Sequence, residues 1–483
     1  MLELRNQFIM PPIKLGYSEG DGLVNQKHID FYKRRSKHIG AITIEPLYLD
    51  SGLREIPAQL GIDNDEKNEG LKKLTNLIHL NGAKVIAHLN HPGRMANPKI
   101  PGNFFISSTD KACENGGAVP KKMNREMMDD VIKMFVDSAK RAVASGIDII
   151  ELQFGHGYLL SQFISPAVND RTDEYGGSFN NRVTFPLEVL LSVRDAVDVS
   201  LIARISADEM ISSGIHIEEM IEFSHLLEEK GIDAIHVSAG SVCSTPPWFF
   251  QHMFIPKGKA WELASRIKKK INVPVIFVGR INSSKDVELL NEKYDADYIA
   301  VGRAMVADSD FVGKILNKVE GNIRPCLACA DGCLGGVKRG EGLSCVVNPL
   351  VNTSLHEISK ADSLKKIAVI GGGLAGMEAA ITLKERGHQV DLYEKNKLGG
   401  QFNLASLPPN KESLKDIVDY FNAEIESHKI NLIQKEAVET DIEKGNYDAI
   451  IMATGAVPDI SPIKGLKEFY WTEFLNDDEL PHG

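Results

Sequence analysis

Eight short runs of apolar and β-branched residues recur through the first 305 residues: FIMPP, AITIE, KVIAHL, IDIIELQ, SLIARIS, DAIHVS, VPVIFVG and DYIAVG. Amphipathic stretches at 125–145, 180–197, 217–230, 258–271 and 283–293 lie between them, so the pattern is strand then helix throughout. That order favours a parallel sheet covered by helices, and eight such units predict a (β/α)8 TIM barrel of the α/β class. A chain of 483 residues is longer than such a barrel needs and predicts further domains.

The net charge of -11 argues against a nucleic-acid partner, since phosphate neutralisation requires a basic face. No apolar run approaches the roughly 18 residues that span a bilayer, and the start MLELRNQFIMPPIKLG carries charges where an export signal needs an apolar stretch. The expectation is a cytoplasmic protein with no membrane segment.

In a barrel the chemistry gathers where strands end at the C-terminal face. Here those positions are polar: Lys14 follows the first run, Glu45 the second, His88 and His91 the third, and Gln153, His156 and Tyr158 the fourth. Arg204 closes the fifth run, Ser238 the sixth, Gly279 with Arg280 the seventh, and Gly302 with Arg303 the eighth. Two successive Gly-Arg pairs suit a phosphate, because glycine exposes backbone N–H groups and arginine adds a bidentate cation. Either pair taken alone reads equally well as a tight turn with a surface arginine.

The segments IMPPI at 9–13, HLNHPGR at 88–94, HGYLLSQFISPAVNDRTDEYGGSFNNR at 156–182, ARIS at 203–206, VGRI at 278–281 and VGRAMVAD at 301–308 are specific. Through them the chain resembles the old yellow enzyme family, in its iron-sulfur branch with 2,4-dienoyl-CoA reductase, 2-enoate reductases and trimethylamine dehydrogenase. The resemblance covers essentially the whole chain. It implies FMN in the barrel, held by Pro11, His88, Arg204, Gly279, Arg280, Gly302 and Arg303. By the same resemblance Tyr158 is the proton donor to a substrate α-carbon and His156 a group that polarises the substrate; a packed tyrosine and a structural histidine are the plain alternatives.

Three departures bear on the substrate. Many relatives carry glutamine where His88 stands and histidine where Gln153 stands, and Lys14 occupies a place usually small or thiol-bearing. Asp170 and Arg171, after Ser165 and Pro166, could protonate or orient a substrate, although a locally bonded turn accounts for them more simply.

Four of the six cysteines, Cys326, Cys329, Cys333 and Cys345, follow the spacing C-x2-C-x3-C-x11-C. Four thiolates on one short loop satisfy a [4Fe-4S] cluster, and the branch named above has this spacing; zinc more often takes two C-x2-C pairs. Cys113 and Cys243 show no such spacing and are expected to be ordinary buried thiols.

After a polar linker at 353–364, KKIAVIGGGLAGMEAAITLKERGHQVDLYEK reads as strand, glycine turn, helix and strand, with Gly371, Gly373 and Gly376 as G-x-G-x-x-G. Glu394 arrives 18 residues after Gly376, where it can accept from a ribose 2′-hydroxyl. LGGQ, ending at Gln401, and DAIIMATGAVP at 448–458 resemble flavin-disulfide reductases, which makes FAD the expected dinucleotide in a partial Rossmann-like domain. Relatives continue into a second glycine-fingerprint domain for NAD(P)H whereas this sequence ends at PHG, so the FAD site is expected to be incomplete.

The predicted organisation is a barrel over 1–322, a cluster loop over 323–352 and a partial dinucleotide domain over 365–483. The resemblance implies an ene-reductase acting on a conjugated double bond in an enoyl-CoA, enoate, enone or bilin such as bilirubin. Electrons would come from NAD(P)H or from a carrier such as a flavodoxin, a ferredoxin or a reductase subunit. Amine oxidation of the trimethylamine dehydrogenase type stays open, with Trp248, Phe249 and Phe250 as its aromatic cluster. So do a flavin-free barrel and an electron-transfer subunit, and a homo-oligomer is compatible with each.

Overall fold

The computed structural model describes residues 2–353 and 358–456. Among the described residues, eight parallel strands close into a barrel, with each hydrogen-bonded to its neighbours. They are β1 (Phe8–Met10), β2 (Ala41–Thr43), β3 (Lys84–Asn90), β4 (Ile149–Gln153), β5 (Ser200–Ser206), β6 (Ala234–Ser238), β7 (Val275–Val278) and β8 (Tyr298–Ala300). Helices follow in alternation: α1 (Gln26–Arg35), α2 (Asn68–Leu80), α3 (Arg125–Ala144), α4 (Phe179–Ala196), α5 (Ile217–Glu229), α6 (Lys259–Lys268), α7 (Ser284–Tyr294) and α8 (Arg303–Ala307). The expected TIM barrel is present; seven strands lie within the runs that predicted them, and β3 extends one residue past its run, to Asn90.

Helix α3 shows how the sequence sets these elements. Asn124 caps it by accepting from the Met127 N–H, and Gly146, at φ 81°, breaks it just beyond Ser145. Between them Met128, Val131, Phe135, Ala139 and Ala142 recur at three- and four-residue spacing and are all buried.

Strand alternation builds the interior in layers. Ile9, Ala41, Ile86, Ile149, Ile202, Ala234 and Ile276 form one apolar layer. Two residues further along, the same inward faces present Pro11, Thr43, His88, Glu151, Arg204, His236 and Val278. Apolar residues thus close the barrel below, and a polar, buried layer begins directly above.

The chain divides into two compact units, one of residues 2–320 with 328–353 and one of residues 321–327 with 358–456. In the second, β9 (Lys366–Ile370), β10 (Gln389–Tyr393), β11 (Asn431–Ile433) and β12 (Ala449–Met452) form a parallel sheet in the order β11-β10-β9-β12. α9 (Leu374–Glu385) connects β9 to β10. The last two residues of the 448–458 motif and the terminal PHG lie outside the described residues. No helix among the described residues is long and apolar enough to cross a membrane.

Candidate active site at the barrel mouth

The polar layer centres on Glu151, a carboxylate 1% exposed. It accepts from His88 Nδ1 at 2.7 Å and His236 Nδ1 at 2.6 Å, and Arg204 Nη1 lies 3.9 Å away. Burial works to lift the Glu151 carboxyl, but the His236 and His88 contacts outweigh it and hold it well below the ordinary range. Burial pushes both imidazoles down, so the group is one carboxylate anion between two neutral rings. Each ring gives its Nδ1 proton to Glu151 and keeps a lone pair at Nε2.

The next layer fixes a third imidazole. Gln153 Oε1 accepts from the Gly155 N–H at 3.1 Å, which leaves its amide nitrogen as donor toward His156 Nδ1 at 3.2 Å. An accepting Nδ1 places the His156 proton on Nε2. That Nε2 is buried and has no hydrogen-bond partner. Burial, then the charge of Arg204, pushes this imidazole well below its ordinary pKa and keeps it neutral. His156 holds a left-handed φ of 63°, its N–H donating to Ser206 Oγ at 2.8 Å; such backbone in a non-glycine residue marks a conformation imposed by its surroundings.

Tyr158, 3% exposed, stands two residues on. Lys14 Nζ donates to its hydroxyl oxygen at 3.3 Å and to Glu55 Oε2 at 2.5 Å. Asn90 Nδ2 donates to the other Glu55 oxygen at 3.1 Å. His91, pushed down to about 3 by burial, accepts from the Gly93 N–H and shapes the loop beneath.

The donor set fits a flavin. Arg204 Nε is a buried donor without a partner and His236 Nε2 a buried acceptor without one. Such a mixture suits the pyrimidine edge of an isoalloxazine, where an N–H lies between two carbonyls. At the phosphate end Arg280 donates to the Met253 and Ile255 carbonyls at 3.1 and 2.6 Å. Arg303 donates to the Gln251 carbonyl at 2.8 Å while its Nη1 stays buried and unpartnered. Gly302 packs against Pro11, and a Cβ there would come within 3.0 Å of the proline ring.

Asp170 and Arg171 are not brought into this cluster by any of their contacts. Asp170 accepts from Thr109 and pairs with Lys122 and Lys111, and Arg171 binds Asp173 and the Met123 carbonyl. Sequence reasoning passed over Glu151, His236 and Glu55. The first two carried a readable signal, a charged or polar residue two positions beyond an inward-facing Ile149 or Ala234.

Cys113 and Cys243, expected to be separate buried thiols, form a disulfide with a Cα–Cα distance of 5.4 Å. The fold makes neighbours of the long segment after β3 and the loop after β6, which are 130 residues apart and give no spacing signal. Of the other cysteines, Cys333 sits in the turn Asp331–Gly335. Gly332 of this turn lies so close to Cys345 that a Cβ would meet the Cys345 Cα at 2.9 Å, and Ser344 N–H donates to the Gly332 carbonyl. Ala328 and Ala330, at φ 55° and 58°, wind the chain around Cys329. These backbone contacts set the turn that carries Cys333 against Cys345.

In the second unit the glycine turn fits a dinucleotide. A Cβ on Gly376 would strike the Gly371 carbonyl, whereas Gly373 opens onto free space at the start of α9, where a phosphate can approach. Glu394 accepts from the Gly372 and Asn396 N–H groups, one on each oxygen, and retains lone pairs for a ribose hydroxyl. Gln401 donates to the Ala456 carbonyl.

Residues 1–322 match the model of the NADH:flavin oxidoreductase / NADH oxidase family, and residues 365–482 match pyridine nucleotide-disulphide oxidoreductase. The chain is 37% identical to an NADH oxidase of Thermoanaerobacter brockii, over 97% of this chain and 73% of the relative. It is 31% identical to a bilirubin reductase of Mediterraneibacter gnavus, over 100% of this chain and 77% of the relative. A solved 2-naphthoyl-CoA reductase in complex with 2-naphthoyl-CoA superposes with a TM-score of 0.92 at 26% identity, covering 98% of this chain and 76% of the other.

Proposed function

Since the chain belongs to the NADH:flavin oxidoreductase / NADH oxidase family and is a flavin oxidoreductase, we propose that it reduces a carbon-carbon double bond conjugated to a carbonyl or carboxylate. The observation that carries this reading is the buried, unpartnered Nε2 of a neutral His156, a donor waiting for an acceptor. A substrate carbonyl oxygen completes that hydrogen bond, and polarising it draws electron density away from the β-carbon. FMN held by Pro11, His88, Arg204, Gly279, Arg280, Gly302 and Arg303 would supply a hydride to the β-carbon. Tyr158 gives its phenolic proton to the α-carbon, and hydride plus proton balance the reduction. A cationic amine offers no acceptor to His156, so the oxidative route is less well served.

Aromatic side chains beside the histidine favour a flat acceptor. The Phe249 ring meets His156 edge-on at 4.7 Å, Phe250 lies 6.4 Å from Phe249, and Phe250 meets His252 at 5.8 Å. The names bilirubin reductase and 2-naphthoyl-CoA reductase support an extended conjugated substrate. Cys326, Cys329, Cys333 and Cys345 would hold a [4Fe-4S] cluster, which supplies one-electron transfer. Gly371, Gly373, Gly376 and Glu394 would hold FAD, with NADH, a flavodoxin, a ferredoxin or a reductase subunit as the source of electrons. We place the protein in the cytoplasm on this reading.

The test is anaerobic reoxidation of the dithionite-reduced protein by cinnamate, 2-cyclohexenone, an enoyl-CoA and bilirubin. Fast reoxidation by at least one, slowed in His156→Phe and Tyr158→Phe at unchanged flavin content, is expected. A sample purified anaerobically without flavin, or reoxidation insensitive to both substitutions, removes the proposal.

A further inference from the structure

Tyr158 is enclosed, yet a proton donor must be recharged on every turnover. Its hydroxyl contacts Lys14, whose side chain is 22% exposed, and Lys14 is held by Glu55 at 2.5 Å. Glu55 is itself fixed: Asn90 binds its second oxygen, its N–H donates to Gln59 Oε1 at 2.8 Å, and Asn97 Nδ2 donates to its carbonyl at 3.2 Å. The three reactive groups come from the loops after β1, after β2 and after β4, and the contact between them is specified by position alone. A structural ion pair would need no phenol, and a structural phenol would need no ammonium aimed at its oxygen.

We propose that Lys14 and Glu55 are a proton-feeding pair, Lys14 returning to Tyr158 the proton that the phenol gives to substrate and Glu55 holding Lys14 in place. The inference rests on the proton-donor role proposed for Tyr158. In the step, the Tyr158 O–H bond breaks as the α-carbon C–H bond forms, with the reduced flavin supplying the hydride. The phenolate oxygen then takes a proton from the Lys14 ammonium, and the neutral amine regains one from bulk water through its exposed edge. Lys14 and Glu55 act through Tyr158 and are positioning residues.

The charged groups that face the phenol are Lys14, Glu55 and Arg204, so their effects have predictable signs. Burial raises the phenol; Glu55 raises it further, and Lys14 lowers it. The test combines near-ultraviolet difference titration of Tyr158, taken as each protein minus its Tyr158→Phe counterpart, with steady-state reoxidation by 2-cyclohexenone across pH, driven by a dithionite-reduced dye. Glu55→Gln should move the phenol titration down by about one unit, and Lys14→Met should move it up. Lys14→Met should slow turnover about tenfold or more at unchanged flavin content, and Lys14→Arg, whose guanidinium does not give up its proton, should not restore the rate.

Titration unmoved by either substitution overturns the coupling. A slow Tyr158→Phe beside a Lys14→Met of wild-type rate overturns proton feeding and leaves the donor role of Tyr158 standing. Unchanged reoxidation in Tyr158→Phe removes the donor, and the feeding role falls with it.

Discussion

The Gln153 amide nitrogen lies 3.2 Å from His156 Nδ1, and this one contact decides which imidazole nitrogen carries a proton into the barrel mouth. Replacing the amide by a carboxylate reverses the electrostatics. In Gln153→Glu an anion faces Nδ1 and favours the imidazolium, against the burial that now suppresses it. The wild-type pH-rate profile should therefore show no His156 ionisation between about pH 5 and 8. The variant should gain one, read by NMR of the His156 ring and as a new limb in the profile.

The buried imidazoles also set how the fold responds to acid. His88, His91, His156 and His236 all sit below their ordinary pKa because burial penalises the cation. The unfolded chain binds protons on them near pH 6.5 while the folded chain does not, so stability falls as pH drops through that value. Glu151 acts in the same direction at lower pH. Its folded pKa is depressed, so its contribution is present above the unfolded value of about 4.3 and is lost as pH falls through the folded one. The thermal midpoint should decline from pH 7.5 to pH 5; a flat or rising midpoint would contradict the neutral-imidazole assignment.

Glu151→Gln tests the same network by substitution. The amide offers only one acceptor oxygen where two imidazole N–H groups now converge at 2.7 and 2.6 Å, so one donor is left facing an NH2 group. Losing one partner of a buried charged network costs about 3–5 kcal/mol. Urea unfolding should show that loss. Flavin content should fall with it, because His88 and Arg204 lose their common anchor.

Periodicity and position account for what the sequence made legible. Ile149 and Ile202 lie in runs apolar enough to be read as strands, and Arg204 and Tyr158 stand at their ends, where a barrel puts its chemistry. Glu151 and His236 lie inside such runs, and a single polar residue in an apolar strand reads as noise unless the two-residue alternation is followed inward from Ile149 and Ala234. Lys14 was visible as an unusual cation, but Glu55 lies 41 residues away in an irregular loop, where neither spacing nor periodicity brings them together. Asp170 and Arg171 looked functional because they are charged beside a Ser-Pro turn; Lys111, Lys122, Thr109 and Asp173 satisfy them locally.

Phe249 gives a prediction about substrate size. Its ring packs edge-on against His156 at 4.7 Å, so it borders the position where His156 would hold a substrate oxygen. An aromatic contact of this kind is worth roughly 0.5–1.5 kcal/mol beyond area burial. Phe249→Ala should raise KM for cinnamate about threefold to tenfold and leave KM for 2-cyclohexenone nearly unchanged. Equal effects on both acceptors would mean that Phe249 supports His156 and does not read the substrate.

The Cys113–Cys243 disulfide ties the segment after β3 to the loop after β6, and that second loop is bonded directly to the site. Val242 N–H donates to the His156 carbonyl at 3.0 Å, Ser241 pairs with His156, and Asn115 Nδ2 donates to the Val242 carbonyl at 3.1 Å. A bridge closing 130 residues stabilises by about 3–5 kcal/mol when the unfolded chain is the state it restricts. Cys113→Ser with Cys243→Ser should lower the urea midpoint accordingly. Because the backbone of His156 leans on this loop, the double variant should also bind carbonyl acceptors more weakly at unchanged flavin content. Alkylation of the unreduced, unfolded protein after removal of any metal should label four cysteines, and six after reduction; six without reduction would show that the two thiols are not joined.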